Sequence, residues 1–153
     1  MTKTFTSFTE FAVFLGTLAV KEKAAEQVAL RKVGELVEKA AKKKPGTYQP
    51  GWAPLAATTL DGWGPYPGKV ALGYSPPDNP LLRDGTMRDS YQHSVGVGEV
   101  TIGSNLSVAL FHELGTSKMP ARPVLLPAAT ENIDKIKLIV GGEVYLALSG
   151  GRK

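Results

Sequence analysis

The sequence predicts an α+β fold in which a long N-terminal helix and a C-terminal helix pack on a small antiparallel β-sheet, with a long Pro/Gly-rich loop. Three observations predict it. Apolar residues recur every three or four positions over 7–41 and again over 123–148, as one face of a helix requires. Over 91–111 they alternate with polar ones, the period of a half-buried strand. Between 46 and 80, proline and glycine recur too often for regular structure. At 153 residues the chain reads as a single domain, 1–153, long enough to bury a core without metal or disulfide staples.

The first helix should begin at Ser7-Phe8-Thr9-Glu10, whose serine and glutamate have capping-box spacing. Its stripe runs through Phe11, Phe14, Leu15, Leu18, Ala25, Val28, Ala29, Leu36, Val37 and Ala40. Lys42-Lys43-Lys44 suits the negative end of the helix dipole, and Pro45-Gly46 stops the helix. From Ser7 to Ala41 this is 35 residues, about 52 Å if unbroken. A globule of this chain length is only about 40 Å across. Either Gly16 or Gly34 bends the helix, or another subunit completes its stripe; the second reading is preferred.

The 46–80 loop, together with Pro45, holds eight of the eleven prolines, and it carries both tryptophans, Trp52 and Trp63. Loops this long are usually functional or disordered. Trp52-Ala53-Pro54-Leu55 and Thr58-Thr59-Leu60 are expected to form a short docked turn. Tyr48, Trp52, Trp63, Tyr66 and Tyr74, near Lys69, have the make-up of a base-stacking surface. Aromatics in a Pro-rich loop more often pin it to its own protein or to a partner, and that reading carries more weight.

Arg83 and Arg88 interleave with Asp84 and Asp89, which suggests a self-paired turn or short helix. Tyr91, His93, Val95 and Val97 then alternate with polar residues and glycine, Gly98-Glu99 reverses the chain, and Val100 and Ile102 face inward. Gly103-Ser104-Asn105 turns into Leu106 to Phe111, which completes a three-stranded meander over 91–111. Phe111 to Pro127 follows as a rigid corner with one glycine, three prolines and two cations, Lys118 and Arg122. Pro123 or Pro127 suits a helix's first turn. Leu126, Ala129, Ile133, Ile136, Val140, Val144 and Leu148 keep a helical stripe to 148. Gly141-Gly142 leaves a second reading, a helix to about Ile139 and a separate strand from Glu143 to Leu148.

Little points to chemistry. The chain has no cysteine, which removes disulfides and thiolate zinc sites and fits a reducing compartment. A net charge of +4 and a pI of about 9.3 are explained by a basic surface as well as by nucleic acid. The apolar run Phe11 to Val20 is too short to span a bilayer, and its flanks, Lys3 before and Lys21-Glu22-Lys23 after, do not suit a signal peptide; a soluble protein with no membrane partner is expected. His112-Glu113 lacks the second histidine of a zinc-protease helix, because Thr116 stands there. His93 and His112, the only histidines, fall on different predicted strands. Gly96-Val97-Gly98 leads into a strand, without the helix a dinucleotide loop needs. No catalytic residues, no metal ligands and no cofactor site are assigned, and the chain is not expected to be an enzyme.

Three stretches carry a resemblance. Trp52-Ala53-Pro54-Leu55 with Thr58-Thr59-Leu60, then Pro80 to Ser90, and above all His112-Glu113-Leu114-Gly115-Thr116-Ser117-Lys118-Met119-Pro120-Ala121-Arg122-Pro123 resemble the tail-completion or head-tail joining (neck) proteins of long-tailed bacteriophages. Leu114 stands where the family pattern has phenylalanine, and the long loop before Pro80 is less typical. The resemblance implies a non-enzymatic virion component, made in the host cytoplasm, that completes or terminates the tail and helps join it to the head. It also implies α+β subunits in a homo-oligomeric ring, with a hexamer favoured, in contact with other neck, connector and tail-tube proteins. Trp52, Trp63, Arg83, Arg88, Lys118, Met119 and Arg122 are the expected subunit or partner interface. A small basic nucleic-acid-binding module, resting on the Lys42 to Lys44 run and the loop aromatics, is the alternative; the two overlap if DNA passes through the ring and touches it non-specifically.

Overall fold

A computed structural model of the protein describes residues 4–74 and 76–149. The fold is α+β, with a long N-terminal helix, a C-terminal helix and two small two-stranded sheets. The chain divides into two compact units. The first draws on the chain up to Gly34, on Ser94–Thr101 and on the segment from Ile133 onward; the second comprises Glu35–His93 and Ile102–Asn132.

Helix α1 (Phe8–Lys42) is unbroken over 35 residues. Ser7 caps it as expected, its Oγ accepting the Glu10 amide at 3.2 Å. The Glu10 carboxylate reaches one residue further back than a standard capping box, to the Thr6 amide (2.9 Å) and hydroxyl (2.8 Å). Neither Gly16 nor Gly34 interrupts the helix. Its sides are sharply unequal along its length. Ala25, Ala29 and Val33 are buried in the first unit, and Val37 and Ala41 continue the same i+4 row in the second. Before Ala25 the apolar residues are largely uncovered: Phe8, Phe11, Val13, Leu15 and Val20 are all exposed.

In the first unit α1 is joined by helix α6 (Ile133–Ser149) through an ion pair between Lys32 and the buried Glu143. Gly141-Gly142 does not break α6, so Glu143 to Leu148 is helical and the alternative strand does not form. The reversal around Gly98 also lies here, with φ +74 at Gly98 and the Gly96 amide donating to the Glu99 carbonyl at 2.9 Å. Val97 sits on this turn and is fully exposed, not inward as the alternation suggested.

The second unit is built differently from expectation in three places. The 46–80 segment holds a short helix, α2 (Ala57–Asp61), followed by a hairpin of β1 (Gly62–Trp63) and β2 (Tyr66–Pro67). Next come α3 (Thr86–Asp89) and the paired strands β3 (Tyr91–Val95) and β4 (Val100–Ser104). The expected third strand of the meander is instead helix α4 (Ser107–Leu114). Periodicity cannot separate strand from helix in so short an apolar run. The single C-terminal helix expected over 123–148 is two helices, α5 (Leu125–Thr130) and α6, divided at Glu131-Asn132. Tyr91, Val124, Ala109, Ala128 and Trp52 make up the buried apolar centre of this unit with the end of α1.

Candidate functional site

The corner after α4 is held by its own residues. Gly115 ends α4 with φ +75, and a Cβ there would lie 2.8 Å from the Ala121 amide nitrogen, so only glycine fits. Thr116 and Met119 close a tight turn through two backbone hydrogen bonds of 2.8 and 3.3 Å. The returning chain lets the Arg122 amide donate to the His112 carbonyl at 2.6 Å. The Glu113 carboxylate then accepts the amides of Val124 (2.7 Å), Leu125 (3.1 Å) and Leu126 (3.2 Å). Those are the unpaired donors at the start of α5, so Glu113 caps a helix that begins twelve residues downstream.

The same corner captures the tryptophan loop. The buried Arg122 guanidinium donates to the carbonyls of Ala53 and Pro54, each at 3.0 Å, and the Trp52 indole donates to the Pro123 carbonyl at 3.3 Å. Of the residues expected at a partner interface, Trp52 and Arg122 are therefore buried inside the second unit, because each satisfies a backbone group of the other's segment. Arg88 pairs with the adjacent Asp89 at 2.7 Å, and Met119 is half-buried. Trp63, on the β1–β2 hairpin, is 70% exposed, and Lys118, at the tip of the turn, is exposed as well.

The lysine run is largely committed to carboxylates. Lys42 pairs with Glu38 at 2.6 Å, and the buried Lys44 pairs with Glu131 at 2.8 Å. Glu38 also accepts His93 Nδ1, and its carboxyl is held below the usual range by the Lys42 and His93 hydrogen bonds.

Between α4, the corner and the 55–87 segment the second unit opens a groove of about 680 Å³. Its walls are mostly apolar, with Leu55, Leu72, Leu82, Met87, Leu106 and Val108 among them. Three cations line it, Lys69, Arg83 and Arg122, and none is within ion-pair distance of a carboxylate among the described residues. Lys69 Nζ donates to the Asn79 carbonyl and side-chain oxygen, both at 2.6 Å, and to the Leu82 carbonyl; burial lowers its pKa. Arg83 uses Nε on the Tyr74 hydroxyl at 3.1 Å. The one carboxylate in the lining, Asp84, accepts the Thr86 amide at 2.9 Å. His112 closes one side, its pKa lowered by burial and by Arg122, and its Nδ1 is buried with no hydrogen-bond partner among the described residues.

Sequence reasoning singled out Arg83 and Arg122 but not the groove they share, and it missed Lys69 as an anchor and Glu113 as a cap. The signal for Glu113 was present only as a carboxylate just before a glycine, which many surface helices share. Among the described residues no cluster of three histidine or carboxylate side chains is arranged to hold a metal, and no helix is long and apolar enough to cross a membrane. Comparisons with known protein families, with characterised proteins and with solved structures find no match to this chain.

Proposed function

We propose that this chain is a structural subunit of a bacteriophage neck, one that completes or terminates the tail and joins it to the head by assembling with copies of itself into a ring. The observation that carries the reading is the uncovered first half of α1. Phe8 is 84% exposed, Leu15 48% and Phe11 38%, on the same side of the helix that Ala25, Ala29 and Val33 bury further along. Contiguous apolar surface of this kind marks a place where another protein sits. The resemblance of the 112–123 motif to neck proteins supplies the class of partner. Its residues here serve to shape the chain: glycine for the reversal, glutamate for the helix cap, arginine for the loop. That use of the motif suits an assembly part. A ring requires that one face of the subunit complement a different face of its neighbour.

The test is the mass of the particle. Native mass spectrometry or light scattering of the purified chain, alone and mixed with tail tubes, should give a closed multiple of 16.3 kDa. Leu15→Asp, on that uncovered side of α1, should return the protein to monomer while its circular dichroism is unchanged. A wild-type chain that stays monomeric in both settings, and is missing from virions, rejects the reading.

A further inference from the structure

The groove of the second unit combines apolar walls with positive charge. Its walls are mostly apolar, yet three cations stand in them with no carboxylate within ion-pair distance among the described residues, although Asp84 lines the groove beside Arg83; Arg122 is buried and Arg83 exposed. A positive charge in apolar surroundings is costly unless an anion neutralises it. The protein answers that cost only in part. Lys69 is surrounded by neutral oxygens with Asp78 acting on it from beyond ion-pair distance, Asp84 acts likewise on Arg83, and the buried Arg122 donates only to two carbonyls, so it is Arg122 whose charge no carboxylate of the groove meets. Arg83 is different: only its Nε is engaged, by Tyr74, and its two terminal nitrogens make no hydrogen bond to the described residues.

We propose that this groove binds an amphipathic monocarboxylate, its apolar chain lying against Leu55, Leu82, Leu106 and Val108 and its carboxylate on the terminal nitrogens of Arg83. The size suits a small molecule, since ligand pockets run from about 300 to 1,000 Å³. A guanidinium presents paired donors that match the two oxygens of a carboxylate. A single charge fits better than a phosphate dianion, whose second charge would have to be desolvated against the apolar walls. This inference does not depend on the assembly reading, because the groove lies within one unit of one chain.

Decanoate, decanol and decyltrimethylammonium, each below its micelle concentration, are the probes, titrated calorimetrically into the full-length protein. Decanoate should bind one to one, about tenfold more tightly than decanol, with no binding of the cation. Arg83→Gln, an exposed position, should bring decanoate down to the affinity of decanol. Val108→Trp, which fills the groove, should abolish binding of both. The chain has only two histidines, so proton spectra resolve the site directly. Decanoate should move the ring resonances of His112 and leave those of His93 in place. Equal affinity for decanoate and decanol overturns the proposal, as does binding that survives Val108→Trp or fails to shift His112. If Val108→Trp does not fold, the Arg83→Gln titration and the histidine spectra of the wild type decide the matter alone.

Discussion

Both oxygens of the Glu113 carboxylate accept the Leu125 backbone amide, at 3.1 Å each, and so fasten the last turn of one helix to the first turn of the next. The contact joins α4 to α5 across a corner that is also held by main-chain bonds, by Arg122 on the Ala53 and Pro54 carbonyls and by the Trp52 indole on the Pro123 carbonyl. A charged acceptor at a helix start adds a favourable dipole term to the satisfied amides.

Glu113→Ala should therefore destabilise the protein by about 1–2 kcal/mol, the usual range for a lost cap. Glu113→Gln keeps an acceptor without the charge and should cost less. Urea denaturation of the three proteins measures the order, and an alanine variant as stable as wild type removes the capping account.

Two glycines should respond in opposite directions. Gly115→Ala forces a side chain into φ +75 with backbone 2.8 Å away and should cost roughly 2 kcal/mol or more. Gly141 lies inside α6 with nothing within 4 Å of a Cβ, so Gly141→Ala should stabilise by about 0.5–1 kcal/mol. Thermal melts of the pair test both. A Gly141→Ala variant that melts lower than wild type would show that α6 needs its glycine for contacts outside the chain.

Lys44 is 6% exposed while its partner Glu131 is 57% exposed, so the two ends of this ion pair are not equivalent. Glu131→Ala leaves a buried ammonium with only Gln49 at 3.1 Å and should cost about 1–3 kcal/mol. Lys44→Met removes the buried charge itself and should fall within about 1 kcal/mol of wild type. Chemical denaturation showing Lys44→Met as the more damaging change would reverse this assignment.

Acid should weaken the fold in two stages. Burial and Arg122 hold the His112 pKa below its ordinary 6.5, so near and below that pH the unfolded chain takes up a proton that the folded chain refuses. Stability therefore rises with pH through this window and levels off above it. Glu38, held below its ordinary 4.5 by Lys42 and His93, adds stability that is complete above 4.5 and lost as pH falls through its folded value. Urea midpoints followed from pH 3.5 to 8 should show both steps, and His112→Phe should flatten the upper one only. An unchanged upper slope in that variant would place the titrating group elsewhere.

Features set within a few residues were legible in the chain before any fold was known. The long helix, its Ser7 start, its stop before Pro45 and the reversal at Gly98 all follow from caps, periods and turn residues that act over one or two turns. What the local pattern left open was decided by contacts between distant residues. The apolar run from Leu106 to Phe111 reads as a strand by its length, yet Ser107 to Phe111 belong to α4, the helix that delivers Glu113 to amides beyond the corner. The apolar stripe past Pro123 is continuous, but the helix breaks at Glu131-Asn132, where the Glu131 carboxylate meets Lys44 from another segment. Arg122 was expected at a subunit or partner interface, and the structure buries it against the Ala53 and Pro54 carbonyls. Short-range hydrogen bonding and side-chain spacing are written along the chain. The neutralisation of a buried charge or of a helix end by a group many residues away appears only when the tertiary structure brings the two together.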